Sequence, residues 1–243
     1  KQNSATTKLV LLAKNKRGYQ NLTRLLSDFY VTDRGDASLS IDQHNLSGYT
    51  EGLIALSGAQ QSDIGVTLLN GELKAAENAL VRWMDLFPQS FYLEVQRVGR
   101  QGEAEYISRV IELAAKASCP IVATNDVRFL NHADYEAHEV RVCINEKRNL
   151  DDPRRKRENT DQQYLKTADE MLELFADLPE ALINACEIAK RCNLILDIGT
   201  PKLPNYPVPE GKTLEEYFVE VYIAFVLMCF LHKFCLCRKA QKN

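Results

Sequence analysis

Little in this sequence points directly to a chemistry. There is no glycine-rich phosphate loop and no GxSxG nucleophile elbow, so the backbone devices of P-loop nucleotide enzymes and of α/β-hydrolases are both missing. Seven cysteines include no CxxC pair and show no zinc-binding spacing. They fit the reduced thiols of a cytosolic protein rather than a disulfide framework. Excess positive charge is also lacking. A formal net charge of -3 and a pI near 5.9 argue against a domain that holds nucleic acid by its overall field, leaving room only for a local basic patch. The one long apolar run, Val221 to Leu231, is broken by His232 and Lys233 well before the roughly 20 residues that a membrane helix requires. No membrane segment is expected. The opening KQNSATTK begins with Lys1 and reads as neither a signal nor a transit peptide, and the chain looks like a piece of something longer.

What is present is a globular composition. With 243 residues, 45% hydrophobic and 26% charged, the chain can bury a full core in one large α/β domain or two small ones. Strand and helix signals alternate. The segments Leu9 to Ala13, Gly52 to Leu56, Phe91 to Gln96 and Pro120 to Ala123 read as strands, the last of them buried on both faces. Helices are expected over Gly18 to Tyr30, Ile64 to Leu69, Leu73 to Phe87 and Glu103 to Ala117, with residues 107, 110, 111 and 114 forming the buried stripe of the last. A polar loop with Gly35, Asp36 and Gly48 leads to the second strand, and Gly99 and Gly102 turn the chain into the fourth helix. Four β/α units in a row predict a parallel sheet, in a barrel or an open doubly wound fold.

After Ile144 a long polar excursion precedes two more helices. The first is announced by Thr167 with Glu170, a capping box, and the second has Pro179 in its first turn. Asn193 to Ile198 has the composition of one more strand, and the four prolines between Pro201 and Pro209 mark an extended connector.

The fourth strand turns polar at once, so Thr124, Asn125, Asp126 and Arg128 should lie at its carboxyl end, where α/β folds place their chemistry. Asp126, His132, Asp134 and His138 are metal-competent side chains within 13 residues, but without a defined ligand motif a solvated helix start is the favoured reading. Glu94, inside an apolar and aromatic strand, is either a ligand or acid reaching a pocket or the partner of a buried arginine. The basic run Arg154, Arg155, Lys156 and Arg157 offers a phosphate or partner contact, although beside Asp151 and Asp152 it is better read as a solvated turn. Ser57 before Gly58 is a strand terminator, and Cys143, Cys186 and Cys192 are small core residues.

The stretches TTKLVLLAKNKRGYQNLTRLLSDFY, EGLIALSG, FYLEVQRVG, PIVATNDVRFL, DYEAHEVRVCI, LDDPRRKR, EMLELFADLPEALINACEIAKRCN and LPNYPVP together resemble, in order, the N-terminal region of bacterial DNA polymerase III alpha subunits. That region is the PHP (polymerase and histidinol phosphatase) domain. The resemblance implies a distorted, TIM-like β/α barrel over residues 1–200, here lacking its first strands, then a proline-rich connector toward the polymerase palm at 201–218. Residues 219–243 depart from the resemblance and form an aberrant apolar tail. PHP enzymes hold zinc or manganese with His, Asp and Glu at strand ends and hydrolyse phosphoesters through metal-activated water. In the metal-competent relatives a histidine precedes the first of these strands, where this chain has Lys8, and another precedes the glycine after the FYLEVQ-type strand, where it has Val98. Their Asp-x-His after the ATND-type strand is reduced to Asp126 with Arg128. With Lys8, Val98 and Arg128 at ligand positions beside Glu94 and Asp126, the resemblance implies a vestigial site with no intact metal centre and no catalytic residue in this stretch. Lys8 or Arg128 is expected to pair with Asp126 or Glu94 in place of the metal's charge. It further implies a cytoplasmic scaffold within a replicative polymerase, whose own Mg-dependent aspartates lie elsewhere. Its partners would be the proofreading exonuclease subunit, other replicase subunits, and DNA through the parent protein. An active zinc- or manganese-dependent phosphoesterase or proofreading PHP domain is the alternative.

Overall fold

The structure is a computed structural model whose described residues are 6–32, 41, 43–196, 198–200 and 206–240; for 32 and 229–240 the description is of backbone alone. Residues 1–195 and 196–243 form two compact units. The loop around Gly35 and Asp36 and most of the proline-rich connector lie outside the described residues.

The first unit is a mixed α/β layer structure. Its sheet contains β1 (Val10–Ala13), β2 (Leu53–Leu56), β3 (Phe91–Gln96) and β4 (Ile121–Thr124) in the order β1-β2-β3-β4. The helices are α1 (Lys16–Thr32), α2 (Asp63–Leu69), α3 (Leu73–Leu86), α4 (Glu103–Ala117), α5 (Tyr135–Glu146), α6 (Ala168–Leu174) and α7 (Pro179–Arg191). Strand residues alternate between two cores, as the two-residue period of a strand dictates. Leu53, Ala55, Leu93 and Val95 pack with Ile64, Leu68, Leu80, Trp83, Tyr106 and Val110 of α2, α3 and α4. Ile54, Leu56, Tyr92 and Val122 face the other way, against Ile188, Ala185 and Cys192 at the end of α7. That double burial explains why β2 reads as an unbroken hydrophobic run and β3 as an apolar run broken only at Glu94 and Gln96.

Two expectations are corrected. The four strands are not all parallel: β2, β3 and β4 are, but β1 runs antiparallel to β2, with Val10 opposite Leu56 and Ala13 opposite Leu53. Glycines fix this direction. A Cβ on Gly18, in the first turn of α1, would overlap the Gly52 carbonyl, and one on Gly58 (φ 93°) would overlap that of Lys8. The end of β1 is thereby held against the start of β2, and its start against the end of β2. The main chain ties both places, from Lys14 N to Gly52 O and from Lys8 N to Gln61 O, each at 2.8 Å. Among the described residues the four strands form one sheet with β1 and β4 at its edges. Asn193 to Ile198 belongs to no strand among them. Asn193 N donates to Lys14 O, and Ile195 and Ile198 are exposed.

Helix ends follow the local chemistry. Thr167 and Glu170 close a reciprocal capping box on α6, and Pro179 opens α7. In the second unit α8 (Leu214–Ala240) begins with Thr213 and Glu216 bonded to each other's backbone N–H groups. It leaves Phe218, Tyr222 and Phe225 exposed. No helix among the described residues is long and apolar enough to cross a membrane.

Candidate functional site

The reversed β1 changes the geometry of one sheet edge. Because β1 is antiparallel, its beginning lies beside the carboxyl ends of β2, β3 and β4. Lys8, ahead of β1, thus joins Ser57 and Gly58 after β2, Gln96 at the end of β3 and Asp126 after β4.

Asp126 is the centre of the outer part of this edge. Its side chain is 11% exposed, and Oδ2 accepts from Arg100 Nη2 at 2.5 Å while Oδ1 faces Arg128 Nη2 at 3.2 Å and Lys8 Nζ at 3.9 Å. Gln163, fully buried, donates its amide to Oδ2 at 3.0 Å and to the Asp126 carbonyl at 3.1 Å. Burial pushes the Asp126 carboxyl up, but the Arg100 hydrogen bond and the charges of Lys8, Arg128 and Arg100 outweigh it and hold the group below the usual carboxylate range. Arg100 donates its other terminal nitrogen to Gln96 Oε1 at 3.0 Å, and its buried Nε has no hydrogen-bond partner.

Deeper in, Glu94 is buried and held by uncharged donors. It accepts from Gly58 N at 3.0 Å, from Gln96 Nε2 at 2.9 Å and from the Thr124 hydroxyl. Its own amide donates to Ser57 Oγ at 2.9 Å, and Tyr106 donates its hydroxyl to the Glu94 carbonyl at 2.8 Å. The buried-arginine alternative for Glu94 is overturned: no arginine among the described residues pairs with it. Gln96 bridges the two carboxylates, donating to Glu94 and accepting from Arg100.

Val98 is fully buried and offers only main-chain atoms. Its N–H and that of Gly99 donate to the two oxygens of Glu103, each at 2.9 Å, and its carbonyl accepts from the Thr160 hydroxyl. This closes the Gly99 to Gly102 turn, in which both glycines have positive φ, and returns Arg100 to the sheet edge. Sequence reading missed Arg100, Gln96 and Gln163. Arg100 lies in the RVGRQG stretch, between two turn glycines directly after a strand, a spacing that marks the turn but not the direction of its side chain.

The other sequence-level candidates do not converge. His132 Nε2 lies 3.1 Å from Asp161 Oδ2, Asp134 bonds the Asn131 backbone and side chain, and His138 packs on the Phe129 ring. Burial, then Arg141 and Arg128, hold the His138 imidazole below its usual pKa. The basic run also divides. Arg154 folds back on Asp152 (3.1 Å), and Lys156 and Arg157 are exposed. Arg155 is not a solvated turn residue. Its side chain is 3% exposed and ion-paired with the equally buried Glu139, to which Asn159 also donates at 3.3 Å. The thiols of Cys119, Cys143, Cys186 and Cys192 are free, but Cys186 is exposed rather than in the core. Burial pushes the Cys119 thiol up to about 12.

The donor set bears on the metal that PHP proteins hold. A divalent ion needs converging anionic or neutral donors, and three cations already crowd Asp126, so the residues present do not fit one. Among the described residues no group of three or more His, Cys, Asp or Glu side chains is placed to hold an ion.

Comparison with known proteins gives a consistent result. Residues 1–98 match the PHP domain family. The chain is 49% identical over 211 residues to the DNA polymerase III subunit alpha of Pseudomonas aeruginosa (strain PAO1), covering 87% of this chain and 18% of that protein. It is 46% identical over 215 residues to the same subunit of Pseudomonas fluorescens and 44% over 214 residues to that of Escherichia coli (strain K12), covering 88% of this chain and 18% of each protein. The chain thus spans about a fifth of the length of these relatives. With a PHP match over its first 98 residues and 44 to 49% identity along most of its length, the chain is closely similar to a stretch of DNA polymerase III alpha subunits.

Proposed function

We propose that this chain is the PHP part of a replicative DNA polymerase III alpha subunit and that it serves DNA replication as a scaffold, without hydrolysis of its own. In this reading the four-stranded sheet is one portion of a distorted β/α barrel. Nucleotidyl transfer, with its Mg, belongs to the remaining length of the parent protein. The barrel surface docks the proofreading exonuclease subunit among the other replicase subunits. Tethering raises the exonuclease's effective concentration at the primer end with no new chemistry in the tether. Hydrolysis through a metal-bound water requires an open coordination position beside anionic or imidazole ligands.

The observation that carries the reading is the state of Asp126. Lys8 and Arg128, at positions where metal-competent relatives have histidines by resemblance, lie with Arg100 around its carboxylate. Contact with DNA through the basic run is reduced to Lys156 and Arg157, since Arg154 and Arg155 are engaged with Asp152 and Glu139. The net charge of -3 suits a protein partner better than a DNA groove.

The test is to assay the full-length parent for phosphoester and 3′-end hydrolysis, with and without the exonuclease subunit, alongside an Asp126→Ala variant. Hydrolysis is expected only when the exonuclease is present, and co-purification of the two subunits should not depend on added zinc or manganese. Hydrolysis by the parent alone, abolished by the substitution, would reverse the assignment.

A further inference from the structure

We propose that α8 is a self-association element: it pairs antiparallel with α8 of a second copy of this chain, burying the apolar run Val221 to Leu231 against itself and setting the acidic start of each helix beside the basic end of the other. This pairing does not depend on the polymerase assignment.

The sequence makes this helix apolar on every side. No acid, lysine or arginine stands between Glu220 and Lys233, a stretch of roughly three turns, so the helix has no polar face there. Such a helix needs cover. Phe218, Tyr222, Phe225 and Met228 are exposed along it, and Phe218 stacks on Tyr222 with ring centroids 6.4 Å apart. Beside its first two turns lies an apolar hollow of about 660 Å³, lined chiefly by Tyr206, Leu214, Tyr217, Phe218 and Val221. A bilayer does not suit it. No helix among the described residues is long and apolar enough to cross a membrane, and a helix that lies along a membrane surface requires the polar face that this stretch lacks.

Charge selects a second copy and its direction. Glu215, Glu216 and Glu220 stand at the start of α8, and Lys233, Arg238 and Lys239 follow the apolar run. When two such helices run antiparallel with their apolar runs centred on each other, Glu220 comes level with Lys233 of the second copy and Glu215 with its Arg238. The two-fold axis repeats both pairings. Parallel helices would set acid against acid and base against base, which disfavours that direction. Glu220 already pairs with Lys212 of its own chain at 2.5 Å, but its side chain stays 56% exposed and open to a second cation. A two-fold pair closes on itself, so the product is a dimer rather than a fibre.

The experiment measures the mass of the full 243-residue chain by sedimentation across a concentration series. Wild type should move between the monomer mass of 27.6 kDa and twice that mass, with no larger species. Glu215→Lys with Glu220→Lys should weaken dimerisation about tenfold, and adding Lys233→Glu with Arg238→Glu should restore it, because each end then faces the opposite sign again. Helix stability cannot account for that rescue, since the four substitutions together oppose the helix dipole at both ends. Phe225→Glu, inside the apolar run, should leave only monomer. Trp83, the chain's one tryptophan and part of the core of the first unit, reports by its fluorescence that this unit stays folded in each variant. A wild-type monomer at every concentration, an open-ended aggregate, or a fourfold variant no tighter than the double one would overturn the proposal.

Discussion

Two carboxylates share one edge of the sheet and are satisfied in opposite ways. Glu94, deeper, rests on a backbone amide, a side-chain amide and a hydroxyl. Asp126, nearer the surface, rests on three cations and one amide. The difference follows from position. A cation beside Glu94 would have to be desolvated almost entirely, whereas Lys8 and Arg128 keep 35% and 44% of their side chains exposed and so give up less hydration. Neutral donors suit the inner carboxylate because each is already fixed by the sheet. Gly58 and Ser57 follow β2, Gln96 ends β3 and Thr124 ends β4.

Disrupting the inner site should cost most. Glu94→Ala leaves Gly58 N, Gln96 Nε2 and the Thr124 hydroxyl without their shared acceptor, and each stranded donor costs about 1 to 3 kcal/mol. A loss of roughly 3 kcal/mol in urea unfolding is expected, with Glu94→Gln recovering part of it through its remaining carbonyl oxygen.

The outer site should show itself through pH. The folded-state pKa of Asp126 is lowered, so its contribution to stability is present above the unfolded-state carboxyl pKa of about 3.9 and is lost as pH falls through the lower folded value. Wild type should therefore lose more stability than Asp126→Asn between about pH 4 and pH 2, and the two unfolding curves, collected at each pH, should converge at the acid end. Parallel curves would mean that Asp126 is not the group being titrated.

Lys8→Met should do least. At 3.9 Å from Asp126 and partly exposed, the ammonium contributes what a surface pair does, under about 1 kcal/mol. The same pair should weaken as salt is raised toward 1 M, while the buried Arg155 and Glu139 pair stays largely unscreened. Equilibrium unfolding at low and high salt separates the two.

The limits of sequence reading fall at identifiable residues. β3 and α4 occupy the spans expected for them, because Phe91 to Gln96 and the 107, 110, 111, 114 stripe are strong periodic signals with turn residues at each end. The caps at Thr167 and Pro179 were legible for the same local reason. Asp126 beside Lys8 and Arg128 was also within reach, since the family resemblance put all three at one strand edge. Arg100 was not. Its path to Asp126 depends on the turn between Gly99 and Gly102, closed by Glu103, and nothing in the spacing of charges shows where a turn will aim a long side chain. Arg155 likewise reads as one of four exposed basic residues, and only its neighbour Glu139 on α5 makes it a core residue.

By itself the sequence determined the four strands and main helices of the first unit, the two-sided burial of the fourth strand and the kinship of the chain, because hydrophobic period, capping chemistry and motif order are local properties. The tertiary structure alone decided direction and partnership. A strand's alternation is the same read either way, so LVLLA could not reveal that β1 runs against its neighbours. The close approaches at Gly18 to Gly52 and Gly58 to Lys8 settle it, and in doing so they carry Lys8 to the edge where Asp126 lies.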